Sequence, residues 1–145
     1  MAEKNVKVAH NPGSNMKLAS GVASVPKMLT ANICIALATD GASSNNNLDM
    51  GEEMKLAALL AKLEGNPELL NAEEAFQMAT VRGAKAYRVN AGEIKEGMLA
   101  DALLIDLNNE RLIPNHHFLS NWVYSADARS IDKVICHGKI IMENG

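Results

Sequence analysis

The stretch that decides the fold is Ile33-Cys34-Ile35-Ala36-Leu37-Ala38-Thr39-Asp40-Gly41, an uncharged run that ends on an acid and a glycine. Uninterrupted apolar character over strand length predicts a β-strand covered on both faces, because a half-exposed strand would alternate. Strands of that kind belong to parallel α/β sheets, in which ligands bind outside the carboxyl ends. Asp40 stands at such an end, before Gly41 and a small, polar loop over residues 42–47. A carboxylate there can ligate a metal and take a proton from the water the metal binds. It can equally cap the turn through its own backbone, as Asp before Gly often does. Ser43, Ser44, Asn45, Asn46 and Asn47 offer hydroxyl and amide groups to a polar substrate, or form a solvated turn.

Upstream, residues 6–9 are β-prone and run into the turn formers His10-Asn11-Pro12-Gly13-Ser14-Asn15, which places His10, Ser14 and Asn15 on the same sheet edge as Asp40. A lone histidine more often orders a loop than holds a metal, since zinc sites gather three or more protein ligands. A helix from about Ser24 is expected, with Pro26 in its first turn. Downstream, Asp49 with Glu52 resembles a capping pair and opens a helix over 49–63. Its apolar positions 50, 54, 57, 58 and 61, flanked by Leu56, Leu59, Leu60 and Leu63, predict burial on most sides. Gly65-Asn66-Pro67 closes it, and another helix runs from Asn71 or Ala72 to about Tyr87. After residue 90 the signals are β-like, at 102–107, 133–136 and 139–142, the last two joined by the turn His137-Gly138. A junction near 88–97 divides an α/β part, residues 1–90, from a small β part, residues 91–145. His116 and His117 are adjacent and so point apart, which suits a surface loop better than a shared ion.

At 145 residues the chain is too short for a complete eight-stranded (β/α) barrel, which needs about 250. Hydrophobic residues at 48% and charged residues at 21% permit a sizeable core. With aromatics at 3% and eight methionines, that core is aliphatic and adaptable. A net charge of −3 carries no footprint for phosphate backbones, so nucleic acid is a poor partner. Cys34 and Cys136 both sit in apolar strand-like runs and read as buried thiols rather than a disulfide. The first residues lack the apolar core of a signal peptide and no run approaches bilayer length, so the expectation is the cytoplasm and no membrane partner. The usual nucleophile, P-loop, dinucleotide, zincin and C-x-x-C signatures do not occur.

Three separated strings carry a family resemblance: 10–18 (HNPGSNMKL), 38–46 (ATDGASSNN) and 94–102 (IKEGMLADA). In collinear order they resemble the carboxyl-terminal third of the amidohydrolase superfamily, in the branch of chlorohydrolases and 5-methylthioadenosine/S-adenosylhomocysteine deaminases. The resemblance implies the last two βα units of a metal-dependent (β/α)8 barrel, followed by the C-terminal part of a small β-sandwich domain. Asp40 matches the family's metal-binding aspartate of the eighth strand, which also positions or deprotonates the hydrolytic water and touches the substrate. Ser44 matches a position near the substrate, while His10 follows the seventh strand and is not among the metal ligands. The family's His-x-His pair and its two later histidines have no counterpart here. Ala38, Ser24 and Gly51 depart from the family's usual glycine, proline and bulky apolar residue.

By this resemblance the parent protein uses a divalent metal, zinc, to deaminate a purine nucleoside-like small molecule such as S-adenosylhomocysteine or methylthioadenosine. This chain alone is expected to be silent, because one carboxylate holds zinc too weakly. Its bare strand edges predict a homo-oligomer, or a partner supplying the missing barrel strands. The competing class is a non-catalytic, oligomerising α/β module that lost the catalytic half.

Overall fold

The computed structural model describes residues 1–143. The first sheet has two parallel strands, β1 (Lys7–His10) and, after the helices α1 (Pro12–Lys17) and α2 (Val25–Thr30), β2 (Cys34–Leu37). The register pairs Lys7 with Cys34 and His10 with Leu37, so the two carboxyl ends lie level. Ile35, Ala36 and Leu37 are all buried. Consecutive strand residues face opposite ways, so burial of all three means cover on both faces, as the apolar run predicts. Strand β2 is shorter than that run suggests, and β1 keeps its expected four residues but lies one position later, so His10 belongs to it rather than to the loop after it.

Two loop expectations are corrected. The turn formers after His10 start α1, with Asn11 before the helix and Pro12 at its first position, where the missing proline N–H costs nothing. The small polar segment after Gly41 folds into a one-turn helix, α3 (Ala42–Asn45). Local propensity does not favour that turn; side-chain bonds from Ser44 and Asn45 to neighbouring backbone carbonyls hold it.

Helix α4 (Met50–Lys62) is capped by Asp49, whose Oδ1 accepts from the amides of Gly51 at 2.7 Å and Glu52 at 3.3 Å. The capping partner is otherwise than expected, since the Glu52 carboxylate takes the Asn47 side-chain amide. Met54, Ala57, Ala58 and Ala61 are buried as their spacing predicts, and within α4 only Glu52, Lys55 and Leu59 are exposed, so the helix is covered on most sides; Leu63, just past its end, is 77% exposed. The single helix expected over 72–87 is two, α5 (Ala72–Ala79) and α6 (Val81–Tyr87). At the break the Thr80 hydroxyl donates back to the Phe76 carbonyl at 2.8 Å and its backbone leaves helical angles (φ −122°, ψ −93°). Such back-bonding competes with the helical ladder.

The second sheet is antiparallel, in the order β3 (Ala102–Ile105), β4 (Ile131–Cys136), β5 (Lys139–Glu143), with α7 (Phe118–Tyr124) inserted between β3 and β4. The hairpin turn His137-Gly138 has positive φ at both residues, 50° and 74°, the backbone twist that closes a two-residue hairpin. Helix α7 was not anticipated by the β-like reading of this region, although Trp122 and Val123 bury its inner face and His117 caps it by accepting from the Ser120 amide at 3.2 Å. Cys136, the last residue of β4 at the turn, is exposed rather than buried, while Cys34 is half-buried. A single cluster of buried side chains joins the parts, running from Val25, Ile35 and Leu37 through Met54, Ala58, Ala75 and Met78 to Trp122 and Val123. Alanines at 57, 58, 61, 72 and 75 are buried along α4 and α5, as close helix approach requires. No helix among the described residues is long and apolar enough to cross a membrane.

Candidate functional site

The carboxyl ends of β1 and β2 form one edge, and the chain around that edge is tied together through side chains. Asp40 occupies it with φ 64°, in the left-handed region that Asp tolerates better than most residues. Its side chain is exposed. One oxygen, Oδ2, accepts from the Ser14 hydroxyl at 2.7 Å, and the other, Oδ1, accepts from the Gly41 amide at 2.8 Å. The turn-capping role is therefore real, and it coexists with an outward-facing carboxylate. The Ser14 hydroxyl, the Ser44 hydroxyl and the Gly41 amide hold the Asp40 carboxyl below the usual carboxylate range. At neutral pH the group is ionised and an acceptor only.

Ser44 lies half-buried one helical turn beyond Asp40, its Oγ donating to the Gly41 carbonyl at 3.1 Å. Lys17 of α1 reaches across to the Ser43 carbonyl at 3.3 Å and to the Asn46 side chain. His10 is 4% exposed, and burial pushes its pKa below the ordinary value. It is neutral beneath the edge rather than presented on it.

The spacing of residues did not point to the group under this edge, Glu53. It lies one turn into α4 and is 2% exposed. Its Oε2 accepts from the Gly13 amide at 3.0 Å, and its Oε1 accepts from the Asn45 side-chain amide at 2.8 Å. The same Asn45 nitrogen donates to the Thr39 carbonyl at 2.7 Å. A side chain at position 13 would put its Cβ 2.3 Å from Glu53 Oε1, so glycine there is what lets the carboxylate approach the backbone. The available signal was an acid on the buried stripe of α4, one residue before Met54.

Of the residues singled out from sequence, Asp40, Ser14 and Ser44 come together. His116 and His117 are exposed and remote from them in the chain, His117 serving as the cap of α7. A cavity of about 550 Å³ lies elsewhere, between the start of α4, α5, α7 and the antiparallel sheet; Met54, Phe76, Leu103 and Trp122 line it, and Asp40 does not. Among the described residues no three His, Cys, Asp or Glu side chains are grouped where they could hold a metal ion. Asp40 has the chemistry of one ligand, but the described residues do not complete a set.

Comparison with known proteins gives one consistent result. Residues 1–141 match the amidohydrolase family. A 5-methylthioadenosine/S-adenosylhomocysteine deaminase of Thermococcus sibiricus is 54% identical over 143 residues, 98% of this chain and 34% of that protein. A 5'-deoxyadenosine deaminase of Methanocaldococcus jannaschii is 49% identical over 146 residues, 100% of this chain and 34% of that protein. The crystal structure of an adenosine deaminase from Xanthomonas campestris with bound zinc superposes with a TM-score of 0.94 at 37% identity, covering 99% of this chain and 33% of that one. The zinc complex of atrazine chlorohydrolase from Arthrobacter aurescens gives 0.92 at 26% identity, covering 99% and 32%. The chain thus spans about a third of the length of the relatives it matches.

Proposed function

The chain belongs to the amidohydrolase family, and from that premise we propose that it is the carboxyl-terminal part of a metal-dependent hydrolase of non-peptide carbon–nitrogen bonds. The reaction proposed is release of ammonia from an adenine-type nucleoside such as S-adenosylhomocysteine or methylthioadenosine. On this reading β1 and β2 are the last two strands of a (β/α)8 barrel within residues 1–90, and residues 91–145 are the closing strands of a small β-sandwich. The observation that carries it is Asp40, an ionised, outward carboxylate at the end of a parallel strand. It sits in a chain about half identical to nucleoside deaminases over nearly its whole length.

Asp40 supplies one ligand to the cation and a contact to substrate, and Ser44 lies on the substrate side. The Ser14 hydroxyl fixes the rotamer of Asp40 and keeps its carboxyl ionised. A divalent cation, zinc in the structures that resemble this one, supplies Lewis acidity toward water. Its other ligands, and the barrel strands that β1 and β2 would pair with, come from polypeptide outside these residues, in the same protein or in a partner that supplies the missing strands. The compartment proposed is the cytoplasm, which suits two unpaired cysteines.

The test is ammonia release by the complete protein from S-adenosylhomocysteine, methylthioadenosine and 5'-deoxyadenosine. Asp40→Asn is expected to lower the rate by about 10²–10⁴-fold, as loss of a positioned proton acceptor does. Undiminished turnover by this variant, or no ammonia from any of the three nucleosides, overturns the proposal. The 145-residue chain by itself is expected to release none.

A further inference from the structure

We infer that Glu53 is the positioning residue of the Asp40 loop, holding through its two carboxylate oxygens both backbone segments that present Asp40 and its hydroxyl partner. The inference deepens the proposed function and rests on its reading of Asp40. A carboxylate in a helix face that is otherwise Met54, Ala57, Ala58 and Ala61 is costly to bury and persists only where its oxygens find donors. Glu53 finds two, and they lead to Asp40 by separate routes. Through Oε2 it anchors the amide of Gly13, the residue bonded to Ser14, whose hydroxyl reaches Asp40 Oδ2 at 2.7 Å. Through Oε1 it orients Asn45, whose nitrogen also holds the carbonyl of Thr39, the residue bonded to Asp40 on its other side. Helices α1, α3 and α4 are thereby pinned at one buried point. Asp40 itself stands at φ 64°, a conformation that a side-chain-bearing residue keeps only where its surroundings over-determine it. The clamp explains what determines it.

Each oxygen has its own consequence, which makes the clamp separable from general support of the fold. In Glu53→Gln the amide oxygen still accepts from Gly13, but the amide nitrogen meets the Asn45 nitrogen donor to donor. Asn45→Ala removes the same branch from the other side, whereas Glu53→Ala removes both. Met78→Ala, in the core at 0% exposure and away from the clamp, controls for lost stability.

Hydrogen exchange read by mass spectrometry, on the longest natural chain carrying these residues, compares peptides covering residues 38–44 and 11–16. Glu53→Gln and Asn45→Ala are expected to accelerate exchange in 38–44 by about tenfold over Met78→Ala, a change of the size one lost hydrogen bond gives. Both are expected to leave 11–16 protected, while Glu53→Ala loosens both peptides. Exchange in 38–44 that is the same in the clamp variants and in Met78→Ala overturns the inference. Should the Glu53 variants fail to fold, Asn45→Ala decides alone. Ammonia assays are read separately: an inactive protein that shows this pattern loses the proposed reaction and keeps the clamp.

Discussion

Two residues next to the Asp40 edge, Gly13 and His10, carry predictions of their own. Gly13→Ala forces a methyl group to within 2.3 Å of a buried carboxylate oxygen. Something must shift, and overpacking of this kind costs about 1–3 kcal/mol; urea unfolding of the variant is expected to show that loss. His10 gives a pH signature. Burial lowers its pKa in the folded chain, so below the ordinary value of 6.5 the unfolded chain takes up the proton first. Its contribution is therefore full above pH 6.5 and declines as the pH falls through the window beneath. Thermal midpoints between pH 7 and pH 5 are expected to fall for the native sequence and to fall less for His10→Gln. Equal slopes would count against a neutral, buried His10.

At the scale of the elements, capping decides where helices begin. Helix α5 starts on a reciprocal pair: Asn71 accepts from the Glu74 amide at 3.0 Å and the Glu74 carboxylate accepts from the Asn71 amide at 3.0 Å. Asn71→Ala is expected to cost about 1 kcal/mol, measurable in the same urea titration. The α5–α6 break is explained by packing as much as by Thr80. Gly92, on the segment leading to the antiparallel sheet, comes so close that a Cβ would lie 2.9 Å from the Val81 Cα. A helix continuing straight through Thr80 would occupy a different path from the one this contact uses.

For the whole molecule, the unresolved demand is at the strand edges. Among the described residues β1 and β2 pair only with each other, and a two-stranded sheet leaves backbone donors and acceptors open on both sides. Apolar side chains are exposed as well, among them Leu63, Ile94, Ile140 and Ile141 at 56% or more. The isolated chain is expected to self-associate, which light scattering across a concentration series reads directly. A monomer whose mass is independent of concentration would speak against strands built to be paired.

Read from the residues, the run ending at Asp40 determined its own strand, because covering both faces requires consecutive apolar side chains. The stripe of α4, the Asx cap at Asp49 and the hairpin at His137-Gly138 were legible for the same reason: their causes lie within a few positions of one another. Helix α3 and the split at Thr80 were decided by tertiary contacts that outvote local propensity. Glu53 is the clearest case. Its place on the buried stripe of α4 sets it apart from the exposed Glu52 beside it, but nothing along the chain says which groups it bonds. Its role exists only once Gly13, 40 positions away, is brought to 3.0 Å, because a hydrogen bond acts over ångströms in space and leaves no period in the sequence.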